Sequence, residues 1–473
     1  MYRSKFLYFI TFKQKHAITR ATVFTYWCFF VMALLYQPNI AKAIDLTNKN
    51  IEQNISHRVL KNGLKVFVKE DHRAPVVVSQ IWYKVGSSYE SDGVTGVSHA
   101  LEHMMFKGTT KYPGDAFNKI ISANGGEDNA FTSRDYTAYY QTLEKSRLDV
   151  SFKLESDRMR NLILTETDFL KEIKVVQEER RWRTEDKPTA LVYEQLYVTA
   201  FDNSGYHHPV IGWMDDLQSM NITDLKKWYE TFYSPNNAIL VVVGDVNTKD
   251  VMQMIEKYFA DIKSSDLQQI KKRTERKQRS IKQVTLKIPA KVPYITMGYK
   301  VPSIKTAEID WEPYALDLMA GILDGGDSTR FHQNLVINQE VAVSAGTGYS
   351  SGARMETLFE VDAIPSSGKS IEVLYDAIMA ELQGLKDQLV SIEELDRVKN
   401  QIIASAVFEK DSIFYQALKI GQSEATGIGW EVEENYVQRI KEITPQQIQQ
   451  VAQKYLVAKG KTIAILEPQA DTK

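Results

Sequence analysis

The stretch Val97–Gly108, VSHALEHMMFKG, constrains this chain more than any other part of it. His99 and His103 are four residues apart, so on a helix both imidazoles leave one face a turn apart. That spacing lets two neutral imidazoles grip a single tetrahedral Zn²⁺. Glu102 follows His99 by three positions on nearly the same face, where it reaches a water held by the metal. Ala100, Leu101, Met104 and Met105 offer apolar faces that would seat the helix on a core, and Gly108 is a stop signal. The order is H-x-x-E-H, the reverse of the commoner H-E-x-x-H. The competing reading is two buried, hydrogen-bonded histidines, and a third ligand downstream decides between them.

The N-terminus bears on where such a site would work. Residues 1–43 hold six basic residues (Arg3, Lys5, Lys13, Lys15, Arg20, Lys42) and no acidic one. The apolar run Ala21–Tyr36 follows Arg20, and Ala41-Lys42-Ala43 closes the segment. This is the pattern of a secretory signal peptide cut after Ala43, which implies an exported protein, in a bacterium a periplasmic one. The run is shorter than the ~20 residues a spanning helix wants, so an inner-membrane anchor is the second choice and holds only if the segment stays uncleaved. The whole chain carries 58 basic and 60 acidic residues. Removing the six basic residues of the segment leaves a net charge of −8, with no basic excess for nucleic acid. Cys28, the one cysteine, would leave with the segment, so no disulfide staples the remainder and a core must hold it.

Residues 56–84 read as strands, with a tight turn at Asn62-Gly63 and a β-branched run from Val76. His57 and His72 lie here without metal-like spacing and read as surface or turn residues. The loop Gly86–Gly96 delivers the chain to the histidine helix. Ala116–Ala123 is amphipathic, Asn124-Gly125-Gly126 breaks it, and the Thr- and Tyr-rich Asp128–Tyr140 favours extended structure. From Lys145 to Trp182 the pattern is helical, interrupted near Thr165–Thr167. Glu172, Glu178, Glu179 and the nearby Glu185 are all chemically able to serve as the third ligand, and periodicity does not choose among them. Glu172 and Glu179 are seven apart and share a face, so one could bind metal while the other stands behind it.

These residues together resemble the pitrilysin/insulinase family of zinc peptidases, especially its processing-peptidase-like branch. The matching features are His99-Ala-Leu-Glu102-His103, then Asn129-Ala130-Phe131-Thr132-Ser133, then Val175-Val176-Gln-Glu178-Glu179, with 75 residues between His103 and Glu179. Tyr206-His207-His208-Pro209-Val210-Ile211-Gly212 and Tyr233-Ser-Pro235-Asn236-Asn237 follow in order, and the resemblance runs over residues 52–468. It implies that His99, His103 and Glu179 bind one zinc per chain, that Glu102 is the base, and that Glu172 supports the site from behind. It implies that Asn129 and Ala130 lie on an edge strand that aligns a substrate backbone. His207 and His208 become loop residues rather than ligands.

The second half looks like a copy of the first. Asn221-Ile-Thr-Asp opens a helix leading to the strand Ala238–Val243, and Glu442-Ile-Thr-Pro opens another leading to Thr462–Leu466. Ile222 pairs with Ile443, and Ile239 with Ile463, at nearly equal offsets. The polar run Ser264–Lys282 separates the halves. The expected layout is a signal peptide at 1–43, a zinc-binding domain at 44–263, a linker at 264–283 and a metal-free domain at 284–473. Val284–Val301 reads as strands and Asp310–Leu323 as a helix. The expected fold class is α+β, two related α/β-roll domains packed as a clamshell around a substrate chamber.

The second half has no H-x-x-E-H. The resemblance calls there for an arginine and a tyrosine that reach the substrate and its developing oxyanion. Arg330 is the aligned arginine, but Val343 stands where the tyrosine is expected, and valine cannot donate a hydrogen bond. This implies a related, metal-free partner subunit that supplies the missing groups, or a homodimer, or another donor such as Tyr349. The resulting expectation is a zinc endopeptidase acting on peptides or unfolded segments. The alternative is a weakly active or non-catalytic relative serving as a binding or assembly subunit.

Overall fold

The computed structural model describes residues 55–267 and 273–470, so the expected signal peptide and part of the expected linker lie outside the described residues. No described helix is long and apolar enough to cross a membrane.

Six strands form the first sheet: β1 (Ile55–Val59), β2 (Lys65–Glu70), β3 (Val76–Tyr83), β4 (Glu127–Thr132), β5 (Thr137–Glu144) and β6 (Ala238–Gly244). Their order is β1-β2-β6-β3-β5-β4. Five more form the second sheet, in the order β7-β11-β8-β10-β9: β7 (Lys282–Pro289), β8 (Tyr294–Val301), β9 (Ala342–Tyr349), β10 (Thr357–Pro365) and β11 (Lys461–Gln469).

The two sheets share one plan. In the first, β2 and β6 are parallel, and β6–β3, β3–β5 and β5–β4 are antiparallel. In the second, β7 and β11 are parallel, and β11–β8, β8–β10 and β10–β9 are antiparallel. Strand β1 is an extra edge, paired with β2. Ile239 on β6 lies opposite Trp82 on the face turned to the other half, whereas Ile463 on β11 lies opposite Met297 in its own half's core. The expected pairing of these two isoleucines thus joins opposite faces, and Leu240 is the counterpart of Ile463.

The helices before β6 and β11 match too, but the expected pairing of Ile222 with Ile443 is two residues out. Asn221 caps the helix Ile222–Phe232 and Thr444 caps Pro445–Tyr455, each through a reciprocal capping box. Ile222 is therefore inside its helix while Ile443 precedes its cap. Met220 is the true counterpart of Ile443, and both are buried in front of the buried Leu225 and Ile448. The caps, which set the register, are different residue types, so matching by identity slid to the wrong isoleucine.

Each sheet is covered on its second face by a helix from the other half. Pro188–Ala200 lies on β7, β8 and β11, placing Val192, Leu196 and Ala200 against Tyr294, Leu358 and Ala464. Ile413–Thr426 lies on β3 and β6, placing Ala417 and Ile420 against Val78, Trp82 and Val241. Gly421 allows this approach, since a Cβ there would sit 2.1 Å from the Trp82 indole nitrogen. Trp82 is fully buried, a gain of about 2–3 kcal/mol for such a side chain. Polar groups also cross the seam. Arg354 bonds to Asp135 at 3.1 Å and to Ser88 at 2.8 Å, and Tyr197 donates to Glu360 at 2.5 Å.

Candidate metal centre

The helix Val97–Met104 is held at its start by a carboxylate that sequence reasoning did not identify. Glu90 is fully buried and accepts from the Gly96 amide at 2.7 Å and the Ser98 amide at 2.8 Å. It thereby satisfies two of the free N–H groups at the helix end. Burial pushes its carboxyl up to about 7, against the pull of those amides. Gly96 has φ 84°, and a Cβ there would meet the Ile211 carbonyl at 2.6 Å. The entry to the helix thus needs both residues.

The helix sits against β4 and against the helix Glu166–Arg180. His99 and Glu102 are buried, while His103 and Glu179 are partly exposed. Glu179 Oε2 lies 3.6 Å from His99 Nε2 and 3.4 Å from His103 Nε2. A tetrahedral zinc with ligand bonds near 2.0–2.1 Å separates its ligands by about 3.3 Å, so the spacing fits that ion. Glu179 Oε2 is buried and has no hydrogen-bond partner, while Oε1 is paired with Arg183 at 2.5 Å. An unsatisfied carboxylate oxygen between two imidazoles is costly unless a cation completes it. Glu178 is instead paired with Arg181 at the surface and Glu185 with Arg180.

The protonation of these groups follows from their surroundings. Burial, together with the neighbouring His103, pushes His99 down to about 3, leaving it neutral. Burial would lower His103 too, but the carboxylates of Glu172 and Glu179 outweigh it and raise His103 to about 9. Glu172 Oε2 lies 3.4 Å from His103 Nδ1, and its other oxygen pairs with Lys107. This carboxylate therefore orients the ring whose other nitrogen faces the metal position. Burial opposes charge on Glu179, yet the charged His103 and Arg183 beside it outweigh burial and hold it down at about 2.

Glu102 is raised above the ordinary carboxylate value, chiefly by burial, and accepts from Thr132 Oγ1. Thr132 belongs to β4, which pairs with β5 on one side only, so Asn129 and Ala130 lie on a free sheet edge as expected. The Ala130 amide donates to Asn129 Oδ1 at 2.8 Å, so that carboxamide occupies a position an added strand would use. Thr132, Arg183 and Lys107 escaped sequence reasoning because nothing in their spacing sets them apart from solvated polar residues.

Neither Arg330 nor Tyr349 is free to serve as the donor expected from the second half. Arg330 makes two parallel bonds to Glu394, at 2.8 and 2.7 Å, so its guanidinium is committed within that half rather than to a substrate. Tyr349 donates its hydroxyl to the Pro302 carbonyl at 2.6 Å. Val343 stands 63% exposed on the edge strand β9.

The family model described as insulinase (peptidase family M16) matches residues 65–212, and the M16 inactive-domain model matches 219–402. The zinc protease PqqE of Helicobacter pylori is 35% identical over 344 residues, covering 72% of this chain and 76% of that one. The chain belongs to the M16 peptidase family. A solved protease structure from Helicobacter pylori superposes on this M16 chain with a TM-score of 0.83 at 31% identity, covering 88% of this chain and 99% of that one. A probable mitochondrial-processing peptidase subunit beta of Arabidopsis thaliana is 26% identical, covering 87% and 78%. In fold alone, the periplasmic protease PqqL of Escherichia coli matches at a TM-score of 0.73 and 19% identity, over 88% of this chain and 48% of that one.

Proposed function

We propose that this M16 chain is a zinc-dependent endopeptidase, with His99, His103 and Glu179 as the ligands of one zinc and Glu102 as the base. The observation that carries the reading is the unpartnered Glu179 Oε2 facing both imidazoles at tetrahedral spacing, with Glu102 one turn away. When bound, zinc supplies Lewis acidity toward a peptide carbonyl and lowers the pKa of water it holds. Thr132 keeps one oxygen of Glu102 occupied. The other oxygen takes the proton of the attacking water and passes it to the leaving amine. The free edge of β4 aligns the peptide as an added strand once Asn129 releases the Ala130 amide.

The groups expected from the second half are engaged elsewhere, so the reading includes a related metal-free subunit that supplies the oxyanion donor. A seam cavity of about 850 Å³, lined by Lys84, Tyr89, Arg273, Lys305, Arg354 and Glu356, has none of the metal-centre residues on its wall. The N-terminal segment supports export to the periplasm. The test is zinc content and peptide cleavage by the chain from Ile44 onward, alone and with co-purifying homologues. Zinc with activity only on mixing supports the two-chain enzyme, and activity alone removes the partner. Absence of zinc overturns the reading.

A further inference from the structure

We propose a second cation site at Asp92, His207 and His208, suited to a transition ion that accepts two imidazoles and one carboxylate. The three residues come from two loops, Asp92 from the turn that leads into the metal helix and the histidines from the segment before Pro209. Their donor atoms lie within 4.8 Å of one another. His208 Nε2 is 2.9 Å from Asp92 Oδ1, and His207 Nε2 is 3.7 Å from the same oxygen.

A hydrogen-bonded clasp accounts for only half of this arrangement. His208 is a buried ring, and burial favours its neutral form, so one N–H···O bond from Nε2 accounts for its contact with Asp92, while its Nδ1 is buried without a hydrogen-bond partner. His207 is different. Its Nδ1 lies 2.7 Å from the Ser204 carbonyl, which accepts hydrogen bonds only, so the ring proton sits on Nδ1. The ring's Nε2 then stands 3.7 Å from the Asp92 carboxylate oxygen, outside hydrogen-bonding distance. A cation between them would engage both atoms, and an imidazole fixed through its far nitrogen by a backbone carbonyl is the usual form of a metal-binding histidine.

Two imidazoles and a carboxylate suit Zn²⁺, Co²⁺ or Ni²⁺ rather than Mg²⁺ or Ca²⁺, which prefer oxygen. The Asp92 side chain is 88% exposed and free to adjust to the ion's geometry. Arg273, whose field reaches Asp92 and His208, places positive charge nearby and weakens cation binding there. An ion here would staple the loop before the metal helix to the loop at 204–209. The inference does not depend on the peptidase reading.

The experiment is a Co²⁺ titration of untagged, chelator-stripped protein, followed by visible d–d absorption and by metal analysis. The expected result is two equivalents for wild type, and one for each of Asp92→Asn, His207→Ala and Glu179→Gln. Should only Glu179→Gln misfold, the loss of one equivalent in the exposed-site variant Asp92→Asn carries the test. One equivalent in wild type that survives Asp92→Asn and His207→Ala overturns the proposal. One equivalent that Asp92→Asn abolishes upholds it and instead removes the His99 centre.

Discussion

Thr132 donates its hydroxyl to Glu102 Oε2, so the free-edge strand β4 and the buried carboxylate on the metal helix are directly bonded. The bond fixes one oxygen and leaves the other for proton transfer. Any peptide that adds to β4 also loads the strand that orients the base.

Glu102→Gln should keep its zinc and lose turnover by about 10²–10⁴-fold, the usual worth of a positioned general base. Thr132→Val should also keep its zinc, lower kcat about tenfold with KM nearly unchanged, and shift the acidic limb of the pH–rate profile. Metal analysis beside peptide kinetics checks both. Robust cleavage by Glu102→Gln would remove that residue from its role.

Zinc binding should release a proton. The metal-free protein holds His103 near 9, above the ordinary 6.5, so the ring is charged at neutral pH. That charge stabilises the metal-free fold fully below pH 6.5 and ceases to as pH rises through about 9. Zinc needs the bare nitrogen, so its affinity should rise roughly tenfold per pH unit up to about 9 and then level off. Calorimetry in buffers of different ionisation enthalpy should show about one proton released per zinc near neutral pH. A flat affinity across this range would refute the assignment.

Glu172→Gln removes the carboxylate 3.4 Å from His103 Nδ1. Zinc affinity should fall about 10- to 100-fold with the fold intact. Competition against a chromophoric chelator measures the loss, and circular dichroism controls for structure.

Gly421→Ala places a methyl 2.1 Å from the Trp82 indole nitrogen. Overpacking of this kind costs about 1–3 kcal/mol. Thermal unfolding should shift down while zinc content per folded chain stays unchanged, since the metal helix lies on the other face of the sheet.

What could be read from the sequence was whatever repeats with a period or carries a motif. The H-x-x-E-H spacing located His99, Glu102 and His103, and the seven-residue step placed Glu172 and Glu179 on one helix face, where the structure finds them. The resemblance, not the periodicity, singled out Glu179 from its neighbours. Arg330 misled because an arginine's alignment says nothing about which carboxylate holds it, and Glu394 lies 64 residues away. Glu90, Thr132 and the Asp92–His207–His208 group stayed hidden for the same reason. Their partners are brought near by tertiary folding, which local spacing does not encode.

The crossed helices make the order of synthesis matter. When the ribosome has completed β6, the Trp82 face of the first sheet still has no cover, because Ile413–Thr426 is not yet made. Pro188–Ala200 waits in turn for strands that end at Gln469. Neither half is therefore a self-sufficient folding product. A cut in the segment between them should leave two fragments that stay together, and expressing either fragment alone should yield an insoluble one.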